Sequence, residues 1–221
     1  MIRDEWKSLS GKTHHPSQIT HHGGDEMEKV LKTPIAVEEV RALSAGDVIH
    51  VSGVLFTARD EAHRLLLERG APFPLEGLAL FHCGPVVRKG EVGWEVIAAG
   101  PTTSMRMESM EPEFLRRFRP RVIIGKGGMG EGTLRALGEV GAVYCHFTGG
   151  AGALAAQRIA RVREVHFLEE LGVPEAVWVF EVERFGPLVV AMDAHGRSLY
   201  AEVGAVVQDN LEKLRARTKE G

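Results

Sequence analysis

The chain has 221 residues, of which 44% are hydrophobic and 26% charged, with a formal net charge of -3 at pH 7. A chain of this size can bury a full hydrophobic core as one domain, or as one domain and a tail. Its slightly acidic balance gives no overall basic field, which excludes nucleic acid and anionic membranes as default partners. Any anion-binding site must therefore be local.

The cysteine content and the apolar runs bear on location. The two cysteines, Cys83 and Cys145, lie far apart and form no disulfide framework, which fits a reducing compartment. No apolar run reaches the roughly 20 residues that a membrane-spanning helix needs, and "MIRDEWKSLSGK" lacks a signal-peptide core. We therefore expect a cytoplasmic protein.

Residues 1–26 differ in composition from the remainder of the chain. The stretch "SGKTHHPSQITHHGGDE" is polar, has two histidine pairs and shows no sustained apolar period. The histidines could bind a metal, but without a surrounding core an exposed polar extension is the simpler interpretation. We predict a mobile tail before a folded domain over residues 27–207, and a charged C-terminal helix over residues 208–221.

Short β-rich runs alternate with helical segments from Met27 onward. Runs bounded by Gly, Pro or charge predict strands at "DVIHVSG", "LALFHC", "WEVIAA", "RVIIG", "AVYCHF", "EVHFL", "AVWVFEV", "PLVVAM" and "LYAEV". Helical apolar spacing predicts helices at "RDEAHRLLLERG", "EPEFLRRF", "EGTLRALGEVG", "GALAAQRIARV" and "NLEKLRARTKE". The alternation favours some parallel pairing, and the Gly-containing turns of the last strands favour antiparallel pairing. The prediction is a mixed α/β fold.

Two local constellations combine polar residues with a helix start. In "TARDEAHRLLLERG", Asp60 could cap the following helix, Arg59 would lie at its mouth, and His63 could meet Asp60 on one helix face. On these residues alone, a capped surface helix is the favoured interpretation. In "GPTTSMRM", hydroxyls at a helix N-terminus and the guanidinium of Arg106 could form a cradle for a carboxylate or phosphate, and simple helix capping is the equal alternative.

Two further stretches are rich in glycine. In "IIGKGGMGEGTLRALG", Gly127 and Gly128 let backbone N–H groups approach a ligand, and Lys126 adds a point charge before a helix. The spacing is neither that of a phosphate-binding P-loop nor that of a dinucleotide-binding motif, so nucleotide binding is the weaker alternative. In "HFTGGAGALAAQRI", close packing of a small-residue helix on a sheet is the favoured interpretation.

These motifs, in this order and together with "TPI", "FHCGPVV" and "GVPEAVWVFEVERFGPLVVAMDAHGRSLY", resemble the β subunit of class I fumarate hydratase and L-tartrate dehydratase. The resemblance runs from about Met27 to Val206. It implies a swivelling β/β/α domain that works with an α subunit carrying a 4Fe-4S cluster. It also implies reversible hydration of a dicarboxylate in an αβ hetero-oligomer.

The resemblance also implies roles for individual residues. The substrate-binding positions would be Arg59, Thr102, Thr103, Arg106 and Lys126, supported by Asp60, His63, Gly127 and Gly128. Of these, Thr102, Arg106 and Lys126 would be catalytic, with Thr102 as the proton-transferring residue. An isolated hydroxyl is too weak a base at neutral pH, so Thr102 would need a neighbouring carboxylate or Lys126 as a relay.

The cluster implied by the resemblance needs three cysteine ligands, and this chain has two without the required spacing. We expect Cys83 and Cys145 to be buried small residues, and we assign no metal ligand to this chain. Fumarate hydration to malate is the expected reaction, and conversion of L-tartrate to oxaloacetate is the alternative. A non-catalytic module that binds dicarboxylate or phosphate remains a third possibility.

Overall fold

The structure is a computed structural model that describes residues 29–91 and 93–219. Its strands are β1 (Lys29–Lys32), β2 (Val48–Thr57), β3 (Ala79–Phe81), β4 (Val86–Lys89), β5 (Trp94–Ala98), β6 (Val122–Gly125), β7 (Val143–His146), β8 (Ile159–His166) and β9 (Val177–Met192). Its helices are α1 (Val37–Arg41), α2 (Asp60–Arg69), α3 (Glu111–Phe118), α4 (Glu131–Val140), α5 (Gly152–Ala156), α6 (Leu168–Leu171) and α7 (Leu199–Lys219), with a 3-10 turn at Ser104–Met107. The predicted tail over residues 1–26 lies outside the described residues.

Seven strands form one mixed sheet in the order β1-β2-β3-β6-β7-β9-β8, and β2 also pairs with β9. These pairings close a ring through β2, β3, β6, β7 and β9. The links from β1 to β7 are parallel, whereas β9 pairs antiparallel with β2, β7 and β8. The predicted mixed α/β fold with both kinds of pairing is confirmed.

The sequence predicted two strands joined by a turn where the structure has the single strand β9. It is one strand of 16 residues, bent near Arg184 (φ 47°) and Gly186 (φ 148°). Between the pairs Ile49 with Leu188 and Val51 with Phe185, β9 carries one residue more than β2, so the glycine marks a bulge and not a reversal. A Cβ on Gly186 would lie 3.0 Å from the carbonyl oxygen of Ile49.

Two other predicted segments are wrong. "LYAEV" is not a strand, because the turn at Gly196 leads into α7, which begins at Leu199. The helix predicted over "GALAAQRIARV" ends at Ala156, and the chain then becomes the strand β8 from Ile159. In both stretches a short apolar run suits either helix or strand, and sheet pairing decides between them.

The sheet separates two hydrophobic cores. The first core includes Trp178 and Phe180 and lies inside the ring with β2, β3, β6 and β7. The second core includes Val177 and Val179 and lies beneath α2, α3 and α4. Burial of aromatic side chains of this size contributes about 2 to 3 kcal/mol each.

The helices that cover the second core follow the expected amphipathic pattern. Helix α2 buries Ala62, His63, Leu65 and Leu66 on one face. Helix α4 ends at Gly141, whose φ of 71° fits a glycine helix cap.

No helix among the described residues is long and apolar enough to cross a bilayer.

Candidate functional site

Three loops meet at the carboxyl ends of the parallel strands β2, β3 and β6. Arg59 follows β2, and Lys126 follows β6. The third loop returns from the β4–β5 hairpin to the end of β3, where the N–H of Thr102 donates to the His82 carbonyl at 2.6 Å. The site therefore gathers the three sequence motifs that carry Arg59, Arg106 and Lys126.

Arg59 lies in a half-buried position beside an acidic partner. Its Nε lies 3.0 Å from Glu175 Oε1, and a Cβ on Gly84 would approach its Nη1 to 2.8 Å. Burial raises the pKa of Glu175, while the positive charge of Arg59 opposes that shift. Glu175 was not predicted from the sequence, and it limits where the guanidinium of Arg59 can move.

Arg106 and Asp60 form an ion pair across two of the loops. Asp60 was predicted as the cap of α2, but the capping position is Arg59, and no side chain caps the helix. The expected contact between Asp60 and His63 is also replaced, because His63 points into the core toward Glu111. Asp60 therefore contacts the guanidinium instead of closing its own helix.

The second and third loops are joined by their backbones. Thr103 and Lys126 form a parallel bridge, and the N–H of Ser104 donates to the Lys126 carbonyl at 2.9 Å. Thr102 is half-buried and Thr103 exposed, and the side chain of Thr103 does not cap the 3-10 turn. The predicted hydroxyl cap is therefore absent at Thr103. The exposed Thr103 nevertheless lies beside Lys126, through the bridge between their backbones.

The two glycines after Lys126 have positive φ angles, and Gly128 is also closely packed. Gly127 (φ 78°) would place a Cβ 3.4 Å from Thr103 Cγ2. Gly128 (φ 74°) lies against Tyr200, whose ring would be 2.7 Å from an added Cβ. On the fourth motif, Gly152 packs on Gly100 with a would-be Cβ 3.2 Å from its nitrogen, which confirms the packing interpretation at that position.

A fully buried polar cluster lies behind the loops. His63 Nε2 and His82 Nε2 both lie 3.1 Å from Oε2 of Glu111. His63 Nδ1 lies 2.8 Å from the Arg59 carbonyl, and His82 Nδ1 lies 2.9 Å from Ser104 Oγ. The cluster thus connects the backbone of the Arg59 loop to a side chain of the Thr102–Arg106 loop.

Hydrogen-bond directions place the protons of this cluster. A carbonyl only accepts, so His63 donates from Nδ1 to Arg59. Tyr144 donates to Ser104 Oγ at 3.0 Å, and the Ser104 hydroxyl then donates to Nδ1 of His82, whose Nε2–H faces Glu111. One further proton is shared between His63 Nε2 and Glu111.

The electrostatics set the charge of Glu111. Burial alone would raise the pKa of Glu111, but the field and hydrogen bonds of His82 and His63 outweigh it and hold the pKa at about 2. Burial lowers the pKa of His82, which keeps that ring neutral. Glu111 is therefore a carboxylate that lies between the two buried imidazole rings.

The same three side chains are potential metal ligands. Their ligand atoms lie within 4.8 Å of one another. However, the facing atoms already share hydrogen bonds at 3.1 Å, whereas a zinc–nitrogen bond is about 2.0 to 2.1 Å. Their geometry is that of a hydrogen-bonded cluster, and the assignment of no metal ligand stays a prediction.

The cysteines do not fit an iron–sulfur cluster held by this chain. Both Cys83 and Cys145 are buried and free, as predicted. Burial raises the pKa of each thiol, which opposes the thiolate form that ligates iron. A cluster with three cysteine ligands would also need one more cysteine than the sequence contains.

Sequence reasoning missed the groups that support the loops. They are Glu175, His82, Ser104, Glu111 and Tyr144. Glu111 opens the predicted helix "EPEFLRRF" and has the appearance of an ordinary acidic first-turn residue. His82 lies in "FHCGPVV" and Ser104 in "GPTTSMRM", but the contact between them depends on the return of the β4–β5 hairpin, which has no short sequence signal.

The fold and site define an α/β domain with cations and hydroxyls converging from three loops at one end of a mixed sheet. The profile of the family described as "Fumarase C-terminus" matches residues 4–203, and the chain belongs to that family. The chain is 46% identical over 178 residues to the protein named "L(+)-tartrate dehydratase subunit beta" of Escherichia coli strain K12, covering 80% of this chain and 88% of the relative.

Two other relatives are named for tartrate dehydratase and for fumarate hydratase. A "Putative L(+)-tartrate dehydratase subunit beta" of Methanocaldococcus jannaschii is 43% identical over 182 residues, covering 80% of this chain and 93% of the relative. A "Putative fumarate hydratase class I" of Geobacillus stearothermophilus is 45% identical over 202 residues, covering 90% of this chain and 38% of the relative. The resemblance to this family inferred from the motifs is confirmed.

Proposed function

We propose that this chain is the β subunit of an L-tartrate dehydratase, a hydro-lyase that works with an α subunit. The observation that carries the proposal is the convergence of Arg59, Arg106 and Lys126 from three loops around the hydroxyls of Thr102 and Thr103. A four-carbon dicarboxylate needs at least two anion contacts that hold it in one orientation. The three cations supply these contacts.

Relatives favour tartrate over the fumarate reaction expected from the motifs. Two relatives whose names include tartrate dehydratase subunit β match most of their own length, whereas the one named for fumarate hydratase is matched over 38% of its length. Fumarate hydration remains the second candidate, because that relative is 45% identical. One extra hydroxyl on the substrate separates the two reactions, and a single side chain can read it.

The chemistry assigns a role to each loop. Dehydration of tartrate removes a proton next to one carboxylate and hydroxide from the adjacent carbon, which gives the enol of oxaloacetate and water. Arg106 can donate two parallel hydrogen bonds to a carboxylate, and its charge persists at any relevant pH. Charge that develops on this carboxylate during proton removal is stabilised by Arg106 and Lys126.

Proton transfer is assigned to the second loop. Thr102 is the proposed proton-transferring residue, and it needs a relay because a hydroxyl alone is a weak base. The backbone bridge between Thr103 and Lys126 brings the lysine loop beside the threonines. This contact supports Lys126 as the relay.

Departure of hydroxide needs a Lewis acid that the cysteines of this chain do not supply. We place that group, a 4Fe-4S cluster, on the α subunit of an αβ hetero-oligomer. The proposal includes a reducing, cytoplasmic location, in keeping with two free buried cysteines.

The test compares the chain alone with the chain co-expressed with an α subunit under anaerobic conditions. Iron content, visible spectrum and activity on L-tartrate, malate and fumarate are measured for both. We expect the chain alone to be colourless and inactive, to bind dicarboxylates weakly in a salt-sensitive manner, and to gain activity with the partner. Stoichiometric iron and activity in the chain alone would contradict the subunit assignment.

The substrate assignment is tested in the same assays. A kcat/KM for L-tartrate well above that for malate and fumarate supports the proposal. The reverse order would identify the complex as a fumarate hydratase and leave the subunit assignment intact. Absence of activity on all three with an iron-loaded partner would favour the non-catalytic binding module.

A further inference from the structure

Helix α7 projects from the body of the domain. It has 21 residues, about 30 Å in length, and every residue from Ala201 to Arg215 is exposed. Its first turn is anchored by Tyr200, whose hydroxyl lies 2.9 Å from His146 Nδ1. In proteins most of the stability of a helix comes from packing of its apolar face, and the residues of α7 from Ala201 to Arg215 are exposed.

The exposed part of α7 carries an apolar stripe. Val203, Val206, Val207, Leu211 and Leu214 are between 37% and 63% exposed. Their spacing places them on one face of the helix. Except for Val203, these residues lie beyond the part of the chain that matches the family profile, which ends at residue 203. Most of the stripe therefore lies outside the segment that defines the family.

We infer that α7 pairs antiparallel with α7 of a second copy of this chain. The stripe is nearly symmetric about the point between Gln208 and Asp209. An antiparallel partner centred there places Val203 level with Leu214 of the other copy, and Val206 level with its Leu211. The same face of each copy then covers the stripe of the other, as a two-fold interface requires.

The charges of α7 favour the same orientation. Residues 199–212 contain three acidic residues, Glu202, Asp209 and Glu212, and no Lys or Arg. Residues 213–219 contain four basic residues and no acidic one. In this antiparallel register, Glu202 of one helix lies level with Arg215 of the other. Parallel pairing would align like charges, which is unfavourable.

The first experiment measures the mass of the full chain in solution by light scattering. We expect twice the chain mass of 24.2 kDa. Val207→Glu should return the mass to that of one chain, because it places a carboxylate in the stripe. Ala205→Glu adds the same charge on the opposite face and should leave the doubled mass. A monomeric wild-type chain, or a doubled mass that survives Val207→Glu, would overturn the proposal.

Cross-linking tests the orientation. Antiparallel pairing brings Val203 level with Leu214 of the partner but leaves the two copies of Val203 about 16 Å apart along the axis. A mixture of Val203→Cys and Leu214→Cys chains should therefore form a disulfide-linked dimer, and neither variant should do so alone. Efficient linking of each variant alone would indicate a parallel pair and refute the antiparallel assignment.

The α subunit is the competing occupant of the stripe. If it covers α7, the full chain alone stays monomeric, and Val207→Glu weakens binding of the α subunit by tenfold or more while Ala205→Glu does not. That result would assign the stripe to the hetero-oligomer and overturn pairing between copies.

Discussion

The guanidinium of Arg106 is paired with the carboxylate of Asp60, which joins the 3-10 turn to the first residue of α2. Arg106 is half exposed and Asp60 is 28% exposed, so the pair is partly solvated and contributes about 1 kcal/mol to stability. The pair orients Arg106, because Asp60 restricts the long arginine side chain at the mouth of the three-loop site.

Arg106→Lys should reduce kcat/KM of the αβ complex by well over tenfold, or about 2 kcal/mol, without unfolding the chain. Lysine keeps the charge but cannot donate the planar pair of hydrogen bonds. Arg64→Lys is the matched control, since Arg64 lies on the exposed face of α2 and pairs with Glu61 and Glu68. Steady-state kinetics on both variants checks the prediction, and equal activity would remove Arg106 from the substrate contacts.

Gly128→Ala should destabilise the domain by about 2 kcal/mol or more. Its φ of 74° is unfavourable for alanine, and the new Cβ would lie 2.7 Å from the Tyr200 ring. Gly196→Ala is the control, because Gly196 also has a positive φ, 92°, but nothing lies within 4 Å of its would-be Cβ. Thermal and denaturant unfolding should show a clearly larger loss for Gly128→Ala, and equal losses would show that Tyr200 moves freely.

Glu111→Ala should cost about 3 to 5 kcal/mol, because it leaves two buried histidines without their shared acceptor. Glu113→Ala serves as the control on the exposed face of the same helix and should change stability by about 0.5 kcal/mol. Urea denaturation of both variants is the measurement. A small effect of Glu111→Ala would mean that the cluster rearranges around water.

Stability should fall on acidification below about pH 6.5. Burial lowers the pKa of His82 from its ordinary value of 6.5, so the unfolded chain takes up a proton that the folded chain resists. The Glu111 carboxyl, with a pKa of about 2 against 4.5, extends the loss toward lower pH. His63, Ser104 and Tyr144 complete the groups that contact this pair.

The test of this pH dependence compares wild type with His82→Gln between pH 7 and pH 5. The variant should be less stable at pH 7, yet it should lose less stability on acidification, by up to about 1.4 kcal/mol per pH unit. His166→Gln, at a partly exposed histidine, should keep the wild-type slope. An unchanged slope in His82→Gln would assign the acid sensitivity to other groups.

The sequence predicted the mixed fold and the motifs that meet at the site, because apolar periodicity and glycine-rich loops are local signals. Arg59, Arg106 and Lys126 were found as residues of motifs, and their loops converge as expected. Their catalytic and substrate-binding roles stay predictions. The division at residues 27–207 and 208–221 also stays a prediction, although α7 begins earlier, at Leu199.

The remaining errors arose where distant parts of the chain decide local structure. β9 continues through Gly186 because β2 pairs with it on both sides of the bulge. Asp60 is the first residue of α2 and not its cap, and its carboxylate contacts Arg106 from another loop. Glu111 was not identified because two histidines from separate elements reach its carboxylate. Local sequence patterns contain no signal for such contacts.

The alternation of side chains along β9 prevents the domain from dividing into independent parts. Trp178 and Phe180 enter one core while Val177 and Val179 enter the other, so neither core can open without exposing the other face of the same strand. Backbone amides of this strand should exchange with deuterium only through complete unfolding. Likewise, fragments produced by cleavage before β9 should not retain a folded half.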